Sequence, residues 1–334
     1  MKLPKISSKV AAVATAAALL AVTACGAPES APASTGEAAA GFPKTVSHVM
    51  GATEIKAQPK RVVALDSSYI DATLLLGAEL VGYIDYRQDP ANPFAPYLGD
   101  VKDATKESKS VGTLQEPNLE KILELKPDLI VSAKVRHEAI YPQLSKIAPT
   151  IFSESTGPTW KQNVVFLGDA LGEKAKAEKI VADYEHRAKK VGAAILAKDP
   201  AATYSLLRFA GEDTARLYSS TSFIGAIMAD MGIPRPKDGP DTNKAIFVPL
   251  SQEQILQAEA KVIFVSAYTP AGAAGDKSRA QVKAFEGNPL WSRLAGKKVS
   301  VDDGVFLSSV SIQGANEVIT QVAKEFGVDA HLAE

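Results

Sequence analysis

Apolar residues along this chain fall into short runs separated by amphipathic stretches, the rhythm of strands alternating with helices. Arg61-Val62-Val63-Ala64-Leu65 reads as a compact strand, and Asp66-Ser67-Ser68 offers side chains that cap a helix start. Ile70 to Leu76 supplies that helix, Gly77 stops it, and Leu80 to Ile84 returns as a strand. Upstream, Val46 to Ile55 predicts a short hairpin turning near Gly51. Downstream, Leu119, Ile122, Leu123 and Leu125 form a helical apolar face after Pro117-Asn118. Lys126-Pro127-Asp128 breaks it before a buried strand, Leu129-Ile130-Val131. His137 to Ile147 predicts another helix and Thr150 to Phe152 another strand, which together give a first α/β lobe over residues 46–158.

The pattern changes over residues 159–197. From Glu173 it runs almost unbroken through Ile180, Val181, Tyr184 and Val191 at three- and four-residue spacing, one buried stripe on a long helix. At the helical rise such a segment is roughly 35 Å long, enough to link two lobes. A second lobe, residues 198–334, follows. It has strands at Thr203–Phe209, Val262–Val265 and Lys298–Val301, and helices at Ser222–Met231 and Gln313–Phe326. Ser251-Gln252-Glu253-Gln254 caps a further short helix, so residues 251–265 repeat the helix-then-strand order of residues 118–131.

The N-terminus adds an address. Lys2, Lys5 and Lys9 precede an apolar run from Val10 to Val22 and a small-residue site, Thr23-Ala24-Cys25-Gly26, which describes a secretory leader over residues 1–24. Cys25 is the only cysteine, so no intrachain disulfide and no cysteine metal cluster is expected. Residues 25–45 hold little to bury and read as a flexible tether. The chain carries 37 basic against 38 acidic side chains, a balance that argues against nucleic-acid binding.

These residues carry a resemblance. Pro59-Lys60-Arg61-Val62-Val63-Ala64-Leu65, Leu75-Leu76-Gly77, Val81-Gly82, Val111-Gly112-Thr113 and above all Asn118-Leu119-Glu120 with Pro127-Asp128-Leu129-Ile130 resemble the iron-siderophore and vitamin B12 class of ABC-transporter binding proteins. Leu207-Arg208-Phe209, Ser222-Phe223-Ile224-Gly225 and Val248-Pro249-Leu250-Ser251 extend the likeness through the second half. The Val22-Thr23-Ala24-Cys25 ending resembles a bacterial lipoprotein signal, in which Cys25 is lipidated. The resemblance implies two Rossmann-like α/β lobes bridged by one long rigid helix, with the ligand in the cleft between them. It implies a monomer on the outer face of the cell membrane of a Gram-positive bacterium, handing an Fe(III)-siderophore to an ABC permease and its ATPase. No cofactor is implied, because the iron arrives already chelated and the protein supplies no metal ligand.

A chelated ferric ion presents an oxygen-rich shell, which arginine forks and aromatic walls suit. Arg208 resembles a cleft-facing arginine of the family's second lobe. Arg216 and Tyr218 share its cleft edge or form an ordinary outer strand. Tyr86 and Arg87 follow one strand and Arg136 another, at exits where α/β folds place ligands; His137 beside them reads as structural. Trp160 forms a cleft wall or a packed junction, and Tyr268 sits on a loop after the Val262–Ser266 strand. By resemblance Glu120 docks on the permease, with Asp230, or secondarily Glu253, as its counterpart in the second lobe. The scarcity of clustered lysines favours a hydroxamate siderophore.

Haem or corrinoid cargo is the alternative within the class, and an extracellular lipoprotein enzyme is the alternative outside it. His48, His137, His186 and His331 lie far apart in sequence, and neither a Gly-x-Ser-x-Gly turn nor a His-Glu-x-x-His helix is present. A binding protein without a reaction of its own is therefore expected.

Overall fold

The computed structural model describes residues 41–331 apart from Gln88, Pro90 and Ala271; the leader over residues 1–24, Cys25 and most of the tether lie outside the described residues. A hairpin of β1 (Lys44–His48) and β2 (Gly51–Ile55) comes first, pairing antiparallel from Lys44 opposite Ile55 to His48 opposite Gly51. Its buried residues, Val46 and Ile55, point into the neighbouring lobe.

That lobe alternates strand and helix: β3 (Arg61–Ala64), α1 (Ser67–Leu76), β4 (Glu79–Tyr83), α2 (Lys102–Thr105), β5 (Lys109–Ser110), α3 (Leu119–Glu124), β6 (Leu129–Ala133), α4 (Lys134–His137), α5 (Tyr141–Ile147) and β7 (Thr150–Ser153). The strands pair in the order β5-β4-β3-β6-β7, all parallel. All of β6 is buried, which is why its residues read as a continuous apolar run rather than an alternating one. Asp66 caps α1 by accepting from the Ser68 N–H at 3.0 Å, and Gly77 at φ 81° closes it through bonds to Leu74 and Thr73 carbonyls. The helix expected over His137–Ile147 is broken: a short 3₁₀ turn, Glu138–Ile140, separates α4 from α5. Pro142 accounts for the break, since it has no N–H to give the Glu138 carbonyl four residues earlier and is tolerated in the first turn of α5, where no such bond is needed.

α6 (Trp160–Leu171) and α7 (Lys174–Lys198) follow, separated by Gly172 at φ 76°. The 25 residues of α7 give it a length of about 37 Å. Its buried stripe is Ala177, Tyr184, Ala188, Val191, Gly192 and Ile195. Gly192 is required by close approach, because a Cβ there would lie 1.7 Å from the Met231 carbonyl oxygen.

The second lobe comprises β8 (Tyr204–Phe209), β9 (Ala215–Tyr218), α8 (Phe223–Asp230), β10 (Phe247–Leu250), a 3₁₀ helix (Gln252–Ala258), β11 (Val262–Ala267), α9 (Ala273–Glu286), α10 (Pro289–Arg293), β12 (Lys297–Val301), a π-helical turn (Gly304–Ser308) and α11 (Ile312–Glu325). Its sheet runs β10-β9-β8-β11-β12, with β8, β11 and β12 parallel, β9 antiparallel to β8 and β10 antiparallel to β9. Asn118 caps α3 and a capping box at Ser251 starts the 3₁₀ helix; each is followed by the strand that pairs with its sheet's first strand.

The fold is therefore two α/β lobes joined by a long helix. The chain does not stay in the second lobe, however: α11 packs on α7 and touches α1 of the first. One apolar core runs from the first sheet through α6 and α7 to one face of the second sheet, and a smaller core fills that sheet's other face.

Candidate functional site

In each sheet the chain winds outward in both directions from a central pair, β3 and β6 in one, β8 and β11 in the other. At such switch points the connections leave on opposite sides and open a crevice beyond the strand C-termini. A cavity of ≈ 690 Å³ lies there, lined by both lobes. That volume falls within the range of small-molecule sites.

On the first lobe, Arg136 enters from α4, immediately after β6. Its Nε donates to Asp66 Oδ2 at 2.9 Å, and Nη2 reaches Thr156 Oγ1 at 3.4 Å. Asp66, buried after β3, thus serves twice: one oxygen caps α1 and the other holds the arginine. Beside it, buried His137 makes 2.7 Å contacts with Ser132 Oγ through Nδ1 and with the Leu114 carbonyl through Nε2. Burial lowers its pKa, so the neutral ring donates from Nε2 and accepts at Nδ1. The ring pins the loop that brings Leu114 and Gln115 to the cavity. Tyr86 also lines the cavity, and burial raises the pKa of its phenol.

On the second lobe, Arg208 projects from β8 and forms a two-point fork with Asp303, Nε to Oδ1 at 2.6 Å and Nη2 to Oδ2 at 2.7 Å. Nη1 donates to Tyr218 OH at 3.2 Å, and Cζ lies 5.1 Å from the centre of the Tyr268 ring. Ser266 and Ser308 hydroxyls each donate to Asp303 at 3.0 Å. Burial works against the Arg208 charge, yet Tyr218 and Asp303 hold its pKa above the ordinary value. Arg216, on β9, stacks 4.7 Å above the Phe247 ring and forks onto Glu212, which raises the arginine and lowers the acid.

The cavity thus brings together Tyr86, Arg136, Arg208, Arg216, Tyr218 and Tyr268 of the residues singled out from sequence. Three others lie elsewhere. Trp160 is 1% exposed and packs edge-on against Tyr184 and Phe223, so Phe223 forms the cleft wall and Trp160 stands behind it. Arg87 donates to the Asn92 carbonyl and lines a separate ≈ 300 Å³ cavity with Tyr97, Asp302 and Glu317. Asp230 accepts from Lys161 at 2.9 Å and from Tyr184 OH at 2.9 Å, an internal tie among α6, α7 and α8 that occupies its carboxylate. Glu120 and Glu253 are exposed, each in the first turn of its short helix.

Sequence reasoning missed Asp303, Leu307, Ser308 and Val310. They belong to the turn after β12, which crosses back to the first lobe. Ser67 Oγ donates to the Ser308 carbonyl at 2.8 Å, Ser311 Oγ donates to Asp71 Oδ2 at 2.6 Å, and Gln313 Nε2 donates to the Asp71 carbonyl at 2.8 Å. Val310 adopts φ 46°, a left-handed backbone unusual for a β-branched residue. The signal in the sequence is Asp302-Asp303-Gly304 directly after the strand, followed by apolar Val305-Phe306-Leu307. Among the described residues, no group of three His, Cys, Asp or Glu side chains is arranged to hold a metal ion.

Residues 62–298 match the periplasmic binding protein family. The chain is 33% identical over 319 residues to the probable siderophore-binding lipoprotein YfiY of Bacillus subtilis, covering 92% of this chain and 95% of that protein. It is 31% identical over 251 residues to the Fe(3+)-citrate-binding protein YfmC of the same organism, covering 74% and 73% respectively. Its fold is similar to that of Staphylococcus aureus SirA complexed with staphyloferrin B, with a TM-score of 0.76 at 29% identity, covering 86% of this chain and 99% of that one.

Proposed function

This chain belongs to the periplasmic binding protein family, and we propose that it is the substrate-binding lipoprotein of an ABC importer that captures an Fe(III)-siderophore and delivers it to the permease. The observation that carries this reading is the pairing of Arg136 from one lobe with Arg208 from the other around a single aromatic-walled cavity. Guanidinium donors from both sides suit the oxygen shell of a chelated ferric ion, and a cleft built at two switch points closes on its ligand from both faces. Tyr86, Arg216, Tyr218 and Tyr268 complete the contact set. Hydroxamate cargo is favoured.

The chain acts by binding, with no reaction of its own, as a monomer tethered through lipidated Cys25 to the outer face of a Gram-positive cell membrane. Glu120 and Glu253 are the docking acids for the permease. Both are exposed at equivalent positions of the repeated helix-then-strand unit, whereas Asp230 is held by Lys161 and Tyr184. Surface acids of this kind steer encounter and fix register. Titration with ferric siderophores, haem and cobalamin tests the cargo. Saturable binding of a ferric siderophore is expected; binding of haem or cobalamin alone would overturn the reading.

A further inference from the structure

We infer that the cleft selects ferric complexes of little or no net charge, which deepens the siderophore-binding reading and rests on it. Each cleft arginine already carries its own carboxylate: Arg136 holds Asp66, Arg208 holds Asp303 and Arg216 holds Glu212. In these three pairs each guanidinium is matched by a carboxylate, so a multiply anionic cargo meets no surplus of positive charge from them to repay its lost hydration. The arginines still serve as hydrogen-bond donors. Asp303 takes the Arg208 Nε hydrogen and one on Nη2, and Tyr218 takes one on Nη1, which leaves a hydrogen on each terminal nitrogen for iron-bound oxygens.

A second observation is independent of charge. Val135 on the first lobe is 64% exposed, and Ile246 and Tyr268 on the second are 40% and 38% exposed, all three on the cavity lining. Large apolar side chains gathered at a cavity mouth mark a contact surface. A chelate wrapped in an aliphatic scaffold covers them, whereas a small polyanion leaves them wet. Three hydroxamates cancel the charge of ferric iron, while three catecholates leave a trianion, so a ferric trihydroxamate has both properties.

The test titrates the purified chain with ferrichrome (a neutral trihydroxamate), ferric dicitrate, a ferric tris-catecholate, haem and cobalamin, at low and high ionic strength. Calorimetry and Trp160 fluorescence report binding, since Trp160 packs 5.2 Å from the cleft residue Phe223. Ferrichrome is expected to bind at least about tenfold tighter than either anionic complex, with an affinity that salt leaves nearly unchanged. Glu212→Gln, which removes one partly exposed carboxylate, is expected to narrow that gap about threefold by strengthening the anionic complexes. Tighter binding of dicitrate or tris-catecholate would overturn charge selection while leaving siderophore binding intact. A ferrichrome preference that neither salt nor Glu212→Gln alters would remove charge as its cause. Tight haem or cobalamin binding with no response to any ferric siderophore would overturn both readings.

Discussion

Arg208 and Asp303 share two parallel hydrogen bonds in a cleft where both side chains are largely shielded from water, at 15% and 11% exposure. Removing one partner strands the other. Arg208→Ala is expected to cost about 2 kcal/mol of stability, below the usual penalty for a broken buried pair because Asp303 keeps its two serine donors. It should also weaken ferric-siderophore binding by about tenfold or more. Adding Asp303→Asn removes the stranded charge, so the double variant should regain most of the stability and remain a weak binder. Denaturant titration and calorimetry separate the two. Full recovery of binding in the double variant would mean that Arg208 only neutralises Asp303.

Asp71 supplies a pH dependence. It is fully buried, and burial pushes its carboxyl up to about 7 against the opposing effect of the Ser311 and Tyr97 hydrogen bonds, with Asp66 nearby adding to the rise. Its Oδ1 and the Gln313 Oε1 are both buried acceptors without a partner. The folded chain holds this proton more tightly than the unfolded chain. Stability should therefore fall as pH rises from about 4 to about 7, by at most about 1.4 kcal/mol per pH unit from this group, and level off above. Asp71→Asn should flatten that part of the profile. Urea melts of both proteins across the window measure it, and identical slopes would count against a raised Asp71.

The close approach of α7 to the end of α8 gives a steric prediction. In Gly192→Ala the new methyl group meets a backbone carbonyl, which cannot swing aside as a flexible side chain would. A loss of about 3 kcal/mol is expected, seen as a lowered denaturation midpoint with an unchanged slope. A variant as stable as the parent would show that the two helices can slide apart.

The proposed docking acids separate from Asp230 by what each variant loses. Glu120→Lys and Glu253→Lys should leave cargo affinity and stability unchanged and reduce iron uptake by cells. Asp230→Ala should instead lower stability, by about 1–3 kcal/mol, because it strips Lys161 and Tyr184 of an acceptor in a largely shielded setting. Uptake assays normalised to protein abundance distinguish them. Normal uptake by the Glu253 variant would remove that residue from the docking surface.

What the sequence made legible was local. Asp66, Asn118 and Ser251 start helices through side chains that cap nearby backbone groups, Gly77 ends one through its left-handed backbone, and β6 declares itself by its Leu-Ile-Val run. The switch-point arginines were legible because a residue following a central parallel strand has few other places to go. The acids that hold them were not. Asp66 was visible as a helix cap, but its bond to Arg136 spans 70 residues, and Asp303 reaches Arg208 across 95. Helix α9 was not legible because its exposed surface leaves few buried apolar positions, nor was β10, a short antiparallel strand that depends on its partner, while β9 showed only as the outer-strand alternative for Arg216 and Tyr218. Trp160 illustrates the limit of residue type as a guide: an indole at a lobe junction suits a cleft wall or a core, and only packing against Tyr184 and Phe223 decides between them.

The long helix and the return crossing at Ser67–Ser308 and Asp71–Ser311 lace the lobes together at two places. A body so laced has no wide hinge with which to advertise that it is loaded. On the docking proposed above, what remains available to a membrane partner is a span: the separation of two acidic points, Glu120 and Glu253, one on each jaw. The molecule then works as a caliper, converting the presence of an object in its throat into a length measured on its outer surface. A transporter that reads a length need not inspect the cargo, so one permease can serve chemically different chelates provided they hold the jaws equally far apart.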